Sequence, residues 1–487
     1  MKTSAYIISL ISVVSLLASC LSEEGFGTSS NTSITSSVDT LSLDTVIAGV
    51  PTNTYTFQVY NPSSENLRIT RIALQSGNKS SFRVNVDGTF LRETNRNSWE
   101  LYSKDSLRVF VELTAPETSY DTPQTIEDKI SFYLENGNTL NVVLKAVGQR
   151  VERLSSTILA KDSIFNSSVP YLIKDSLIIP DGKTLTLSPG TRLLFHPKAQ
   201  LIVYGTLIAK GTAEQNIILR GDRMGYMFSQ QPYDRIPGQW GGIVFKKQSF
   251  HNILDFCDIH SSDFGIRCDS SGVSTRKLVL SNSIVHNVST NALTLNQCKT
   301  EIGNTQITNA GGNCVNIIGG DNLFIHCTIG QFYSLVGGRG IALNISNTID
   351  QQLLPISRAH FKNCIITGYN EDDINIESST QNNQEINYLF DHCILNTPST
   401  SDQQRIIECI FENDLPSKER RELHFDPAFD FQKLLFPFTL PFNSPLQGKA
   451  NIELTRQTFP LDRLGRIRII NETSAPGCYA GITTKLK

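Results

Sequence analysis

The residues best suited to chemistry fall into columns. Six short segments share one pattern, a small residue followed two positions later by a branched aliphatic. They are Cys257-Asp-Ile259, Ser283-Ile-Val285, Thr305-Gln-Ile307, Cys327-Thr-Ile329, Cys364-Ile-Ile366 and Cys393-Ile-Leu395, at intervals of 22 to 37 residues. Just before the small residue stand Phe256, Asn282, Asn304, His326, Asn363 and His392. Just beyond the aliphatic stand His260, His286, Thr308, Gly330, Thr367 and Asn396. Amides and imidazoles in such stripes can hydrogen-bond an extended glycan. The candidate glycan-binding face is therefore Asn282, Asn304, His326, Asn363 and His392. The same residue types also close ladders of turns, because short polar side chains satisfy backbone groups at bends.

Two further groups carry chemical potential. The insertion 221–239, GDRMGYMFSQQPYDRIPGQ, holds Arg223, Tyr226, Phe228, Tyr233 and Arg235. As a binding loop it would stack its rings on sugars, and as a structural element it would be a flap over the neighbouring strands. Asp372, Asp373 and Glu377 are candidate ligands for calcium, with Arg339 or Lys362 as basic neighbours, the combination a polysaccharide lyase needs. Adjacent aspartates on a strand point in opposite directions, so a solvated turn before Ile374 explains them as well. A glycoside hydrolase needs two carboxylates facing one cleft. Only Glu371-Asp372-Asp373 approaches such a cluster, so no catalytic residue is assigned. Nucleophile-elbow, phosphate-loop and zinc-protease motifs are absent from the sequence. Ten cysteines are present without a CxxC pair, so a thiolate metal site is not expected. Cysteine alternates with serine and threonine in the small column, which marks a small, buried position. Apart from calcium in the lyase case, no cofactor is expected.

The elements that position these residues are strands. Charged residues make up only 18% of 487 residues, with 43 basic and 46 acidic side chains and a net charge of -3. That is below the roughly 25% of ordinary soluble domains, and it disfavours exposed helices. No basic stripe marks a nucleic-acid partner. Residues 39–150 alternate with period two over Thr54–Val59, Leu67–Leu74, Phe82–Val86, Leu107–Leu113, Ile130–Leu134 and Leu140–Val147. Turn signals separate these runs, which predicts a β-sandwich. The order FQVYNPSSENLRITRIAL … DSLRVFVEL … DKISFYLENGNTLNVVLKAVG resembles immunoglobulin-like domains of the abnormal-spindle/Hydin type, usually spacers or binding modules.

Residues 155–400 form a repeat array. Apolar pairs Leu177/Ile179, Leu185/Leu187, Leu193/Phe195, Leu201/Val203, Leu207/Ala209, Ile217/Leu219 and Ile243/Phe245 recur with short turns between them. Many very short strands at regular intervals predict a solenoid whose rungs stack about 4.8 Å apart. The stretch IPDGKTLTLSPGTRLLF … LIVYGTLIAKGT … WGGIVF resembles the entry sequence of the right-handed parallel β-helix repeat family of secreted bacterial proteins. The tail SPLQGKA … PLDRLGRIRI … SAPGCYAG resembles that family's closing segment, with Pro-Gly-Cys where the pattern has Asp-Ile-Gly. The resemblance covers about two thirds of the chain. It implies an all-β fold, a sandwich followed by a right-handed β-helix and a C-terminal cap over 401–487. It leaves function open, since lyases, hydrolases, adhesins and spacers share this fold. Within the cap, 405–411 is expected to be a short helix, and the Phe- and Pro-rich 425–446 is expected to hide the last rung.

The N-terminus reads MKTSAYIISLISVVSLLASC. A short apolar run follows Lys2, as in a secretory signal. Its end, Leu17-Ala18-Ser19-Cys20, resembles the bacterial lipoprotein signal, which implies a signal peptide over 1–20 whose Cys20 is lipidated and becomes the mature N-terminus, followed by a Ser/Thr/Gly-rich linker over 21–38. Glu23 and Glu24 resemble the surface-export signal of Bacteroides-type lipoproteins. An ordinary signal peptide with an incidental cysteine is the alternative. These readings predict an outer-membrane, lipid-anchored, surface-exposed protein. It would bind glycan, a surface or another envelope protein without catalysis. A polysaccharide lyase or glycoside hydrolase on the same fold, or a structural spacer, are the alternatives.

Overall fold

The computed structural model describes residues 25–91, 97–228, 230–349, 352–377, 386–400, 402–415, 425, 429–430, 432–441 and 444–480. Cys20 and the rest of 1–24 lie outside these residues. The chain divides into two units, Met1–Arg150 and Val151–Lys487.

The first unit is a sandwich of two five-stranded sheets. One holds Tyr55–Tyr60, Phe82–Val86 and Ser106–Leu113, and the other holds Thr40–Ile47, Leu67–Leu74, Gln124–Leu134 and Thr139–Gln149. Period-two alternation turns Phe57, Val59, Val109, Val111, Phe132 and Leu144 into one shared core. The Phe57 and Phe132 rings meet edge-on at 6.4 Å between centroids. Trp99 joins this core, whereas Tyr102 is exposed.

The second unit is a parallel β-helix. Its strands form all-parallel sheets of 18 and 10 strands. The register of the larger sheet runs as two ladders, so each coil has three faces. One ladder stacks Arg192–Phe195, Ile217–Gly221, Cys257–His260, Ile284–Val288, Gln306–Ala310, Thr328–Gln331 and Ile365–Gly368. Inward positions carry the predicted apolar pairs, and these are almost wholly buried in one continuous core. Aromatic residues stack rung on rung inside it, with Phe324–Phe361 at 4.6 Å and Phe361–Phe390 at 5.3 Å.

The small column has a hydrogen-bonding cause. The residue before it takes a left-handed conformation in every repeat, with φ of 49° at Phe256, 49° at Asn282, 52° at Asn304, 53° at His326, 53° at Asn363 and 54° at His392. That corner turns the next backbone N–H towards the following rung. The side chain of the following rung's small residue accepts it. Cys257 N–H donates to Ser283 Oγ at 2.9 Å, Ser283 N–H to Thr305 Oγ1 at 3.3 Å, Cys327 N–H to Cys364 Sγ at 3.4 Å and Cys364 N–H to Cys393 Sγ at 3.4 Å. Serine, threonine and cysteine interchange because each is small and offers an acceptor. Nine cysteines among the described residues carry free thiols.

Two local expectations are corrected. Residues 405–411 are not helical. Ile406–Ile407 and Ile410–Phe411 add one more rung, its two strands pairing with Phe390–Asp391 and Ile394–Leu395. The apolar spacing there reflects inward positions of successive short strands, which a helical period imitates over so few residues. Among the described residues an α-helix lies further on, at Ile452–Thr458, where Asn451 Oδ1 accepts the Leu454 N–H at 3.0 Å. The C-terminal segment also does more than hide a last rung. Phe425, Phe436, Phe438 and Leu440 pack on Phe332, Ile365 and Ile394, the outward side of the ladder described above.

Candidate functional site

The outward side chains of that ladder form two columns, and the chain's own C-terminal segment covers only part of them. One column runs Ile218, Asp258, Ile284, Gln306, Thr328, Ile365, and the other runs Arg220, His260, His286, Thr308, Gly330, Thr367. From Thr328 onward the segment sits on the ladder. Cys478 N–H donates to Thr328 Oγ1 at 3.0 Å, and Phe438 packs where a Cβ at Gly330 would stand 2.8 Å from its ring. Glycine at that rung is what lets the segment approach. Tyr479 then closes the edge, its hydroxyl donating to Gln306 Oε1 at 2.6 Å. Beyond Gln306 the covering stops, and the rungs of Asp258 and His286 are left as the floor of a cleft.

The cleft has a volume of about 320 Å³. Its floor is Asp258, His260, His286, Gln306 and Thr308, one wall is Asp234 and Arg235 of the insertion, and the other is Leu434–Pro437 and Tyr479. The insertion is tied down on both sides. Ser261 Oγ donates to the Asp234 carbonyl at 2.5 Å, Arg220 donates to the Arg223 carbonyl at 2.7 Å, and Arg235 donates to the Lys433 carbonyl at 3.0 Å. Ile236 packs against the C-terminal aromatic cluster.

Backbone geometry fixes the floor. Asp258 and His260 are two apart on one strand and so share a face, while His286 is the register partner of His260 on the next rung. Each histidine precedes a second left-handed corner, Ser261 at φ 62° and Asn287 at φ 51°, which holds the column in line. Trp240 Nε1 donates to the His260 carbonyl at 2.8 Å from inside the core. Asp258 Oδ1 then lies 2.9 Å from His260 Nδ1 and 3.2 Å from His286 Nε2, and the imidazole centroids are 5.0 Å apart. Burial pushes the Asp258 carboxyl up, but the two imidazoles outweigh it and hold it well below the usual carboxylate range. Burial pulls His260 below the usual imidazole range against the opposing pull of Asp258. Arg220, lowered by burial and supported by Asp234, Asp258 and Asp222, lies alongside, with Asp234 Oδ2 3.5 Å from its guanidinium. Among the described residues, Asp258, His260 and His286 are the group whose ligand atoms converge, all within 4.8 Å of one another.

The sequence-derived candidates separate into distinct environments. The stripe Asn282, Asn304, His326, Asn363 and His392 is the corner column, and its middle seats the C-terminal segment. Asn304 Nδ2 donates to the Leu461 carbonyl at 3.3 Å, and Arg468 donates to Asn304 Oδ1. His326 Nε2 pairs with Thr455 Oγ1 at 2.9 Å, and Asn451 N–H donates to Asn363 Oδ1 at 2.7 Å. Asn304, His326 and Asn363 are fully buried, while Asn282 and His392 are half-buried. Burial holds His326 neutral, well below the usual imidazole range, with Arg468 adding to the effect. This face is taken up by the protein itself, for the reason that made it look like a binding face: it offers amides and imidazoles in register. Of the insertion residues, Arg235 lines the cleft. Arg223 lies over the Tyr233 ring at 5.3 Å, and Tyr226 and Phe228 are exposed on a hairpin, 48% and 62%. Asp373 is buried and accepts from Asn370 at 2.8 Å and Asn396 at 2.7 Å. Asp372 and Glu377 are exposed, and Asp372 Oδ1 accepts the Ile374 N–H at 3.1 Å. These three carboxylates do not converge. Asp258 was not legible as a site residue from sequence; the available signal was an Asp-x-His on one strand and a histidine at the same repeat position on the next.

A parallel β-helix with a polar cleft on one outward ladder is the class of protein that fold and site define. No family model matches the chain. A stretch of 53 residues is 40% identical to Protein bark beetle of Drosophila melanogaster, covering 11% of this chain and 2% of that protein. The chain thus spans a small fraction of the length of that curated relative. Among solved structures, the ASH / PapD-like domain of human CEP192 is 13% identical with a TM-score of 0.18, over 27% of this chain and 94% of that one. A family 123 glycoside hydrolase from Clostridium perfringens is 7% identical with a TM-score of 0.16, over 24% of this chain and 26% of that one. Overlaps this small bear on neither fold nor function.

Proposed function

We propose that this chain is a lipid-anchored protein of the bacterial cell envelope whose β-helix binds the end or a bend of a glycan in the cleft above Asp258, His260 and His286. The observation that carries the reading is the uncovered stretch of ladder. The C-terminal segment and the insertion cover neighbouring outward rungs and leave a 320 Å³ polar recess between them. A recess of that size fits one or two sugar rings. Its carboxylate, imidazoles, amide and hydroxyl suit vicinal hydroxyl groups, and the exposed Tyr226 and Phe228 offer a stacking surface for further rings. A glycan array probed with the protein tests this. Binding that falls at least tenfold in Asp258→Asn supports the cleft; an array with no binder favours a spacer.

A second reading has its own observation. His260 Nδ1 is held by the Asp258 carboxylate at 2.9 Å beside the cleft, the orientation a lyase or hydrolase base needs. Incubation with acidic polysaccharides separates the two readings. Unsaturated or shortened products that vanish in His260→Gln would establish catalysis.

A further inference from the structure

We propose that Asp258, His260 and His286 bind a divalent transition-metal ion of the zinc class at the floor of the cleft. The inference shares the site of the proposed glycan cleft but requires no glycan.

Geometry comes first. A metal with bonds of about 2.0–2.2 Å holds neighbouring ligand atoms about 2.9–3.4 Å apart. Asp258 Oδ1 stands 2.9 Å from His260 Nδ1 and 3.2 Å from His286 Nε2, and all the candidate ligand atoms fall within 4.8 Å. Both imidazoles are directed at the same carboxylate oxygen. All three side chains rise from paired strands of consecutive rungs, so the backbone has already fixed their separation. One side of the triad faces the cleft, which leaves positions for water or a ligand hydroxyl.

The donor set selects the ion. Two imidazoles and one carboxylate suit zinc, manganese, iron or cobalt, whereas calcium and magnesium take oxygen ligands. Thiolates are excluded from this point. Cys257 on the same strand faces the core and is fully buried, away from the cleft. The nearby cation is drawn off, since Arg220 pairs with Asp234 and donates to the carbonyls of Gly221 and Arg223. Asp234, on the wall of the same cleft, adds negative charge near the triad.

The test uses the full chain, detergent-solubilised and stripped with chelator. Zinc binding is measured by competition against a chromophoric chelator, and cobalt is added in parallel for its visible spectrum. The expected result is one equivalent of zinc at micromolar affinity or tighter. Asp258→Ala and His286→Gln should each weaken it at least tenfold with unchanged circular dichroism, and the cobalt spectrum should lack thiolate charge-transfer bands. Absence of stoichiometric binding in the unmodified protein overturns the proposal. So does binding unaffected by either substitution, or a thiolate band. Should a substitution disturb the fold, the cobalt spectrum of the unmodified protein decides alone. Glycan binding is scored separately on stripped and zinc-loaded protein. A glycan failure with intact zinc binding removes the cleft reading and leaves the metal site standing, and the reverse result removes only the metal.

Discussion

At the residue scale the repeat works by accepting one awkward backbone group per coil. After the corners at Phe256, Asn282, His326, Asn363 and His392, the exposed N–H is accepted by a small side chain on the next rung. Ser283→Ala should therefore orphan the buried Cys257 N–H and cost about 1–3 kcal/mol, read as a lowered urea midpoint. Ser283→Cys, the residue other rungs use, should cost clearly less. Equal losses would show that the column is selected for size alone. Asp373 offers a second residue-scale prediction. Burial raises its carboxyl from the ordinary 3.8 to about 6. The folded protein therefore holds the proton more tightly than the unfolded chain. That contribution to stability is complete below about pH 4, is lost as pH rises towards 6, and is flat above it. Thermal midpoints of the wild type should fall relative to Asp373→Asn across pH 4 to 6. Parallel pH profiles for the two proteins would contradict the assignment.

Element by element, much of this was readable in advance. Strands such as Leu67–Leu74 and Phe82–Val86, and the inward pairs from Leu177/Ile179 to Ile243/Phe245, follow from period-two alternation, because a strand's two faces meet different solvents. The corner stripe was legible as a periodic feature but not as a seat for the C-terminal segment. Nothing local in Asn304 or Asn363 says that Arg468 or Asn451 will arrive from far along the chain. Asp258 was illegible for a related reason. Its partner His286 is a neighbour only through rung register, and the cleft exists because two distant segments stop short of it. The helix at Ile452–Thr458 is too short for a periodic signal and depends on its cap. The Asn451 side chain caps the helix while its backbone N–H donates to Asn363, so Asn451→Ala should cost about 1 kcal/mol through the cap and loosen the seat by fraying the helix start. Limited proteolysis should then cleave within 444–480 faster than in the wild type. Unchanged cleavage would mean that the aromatic packing around Phe438 holds the segment by itself.

On the scale of the whole molecule, the low charge content has a structural origin. A β-helix uses its inward positions for apolar side chains, its corners for asparagine and its rung contacts for small acceptors. Few positions remain for charge. Function on such a scaffold must come from outward columns left uncovered, and one described stretch of this kind holds the Asp258 triad. Lipid attachment belongs to this scale too. Cys20→Ala should abolish acyl labelling and release the protein from membranes, and retention in the membrane fraction would contradict the anchor.

In the proposed function, ligand enters at the His260 and His286 rungs and not along the corner stripe. Imidazole nitrogen NMR during titration with a bound oligosaccharide tests it most directly. Shifts are expected at His260 and His286, with His326 unmoved beneath Thr455. Shifts confined to His326 or His392 would contradict it.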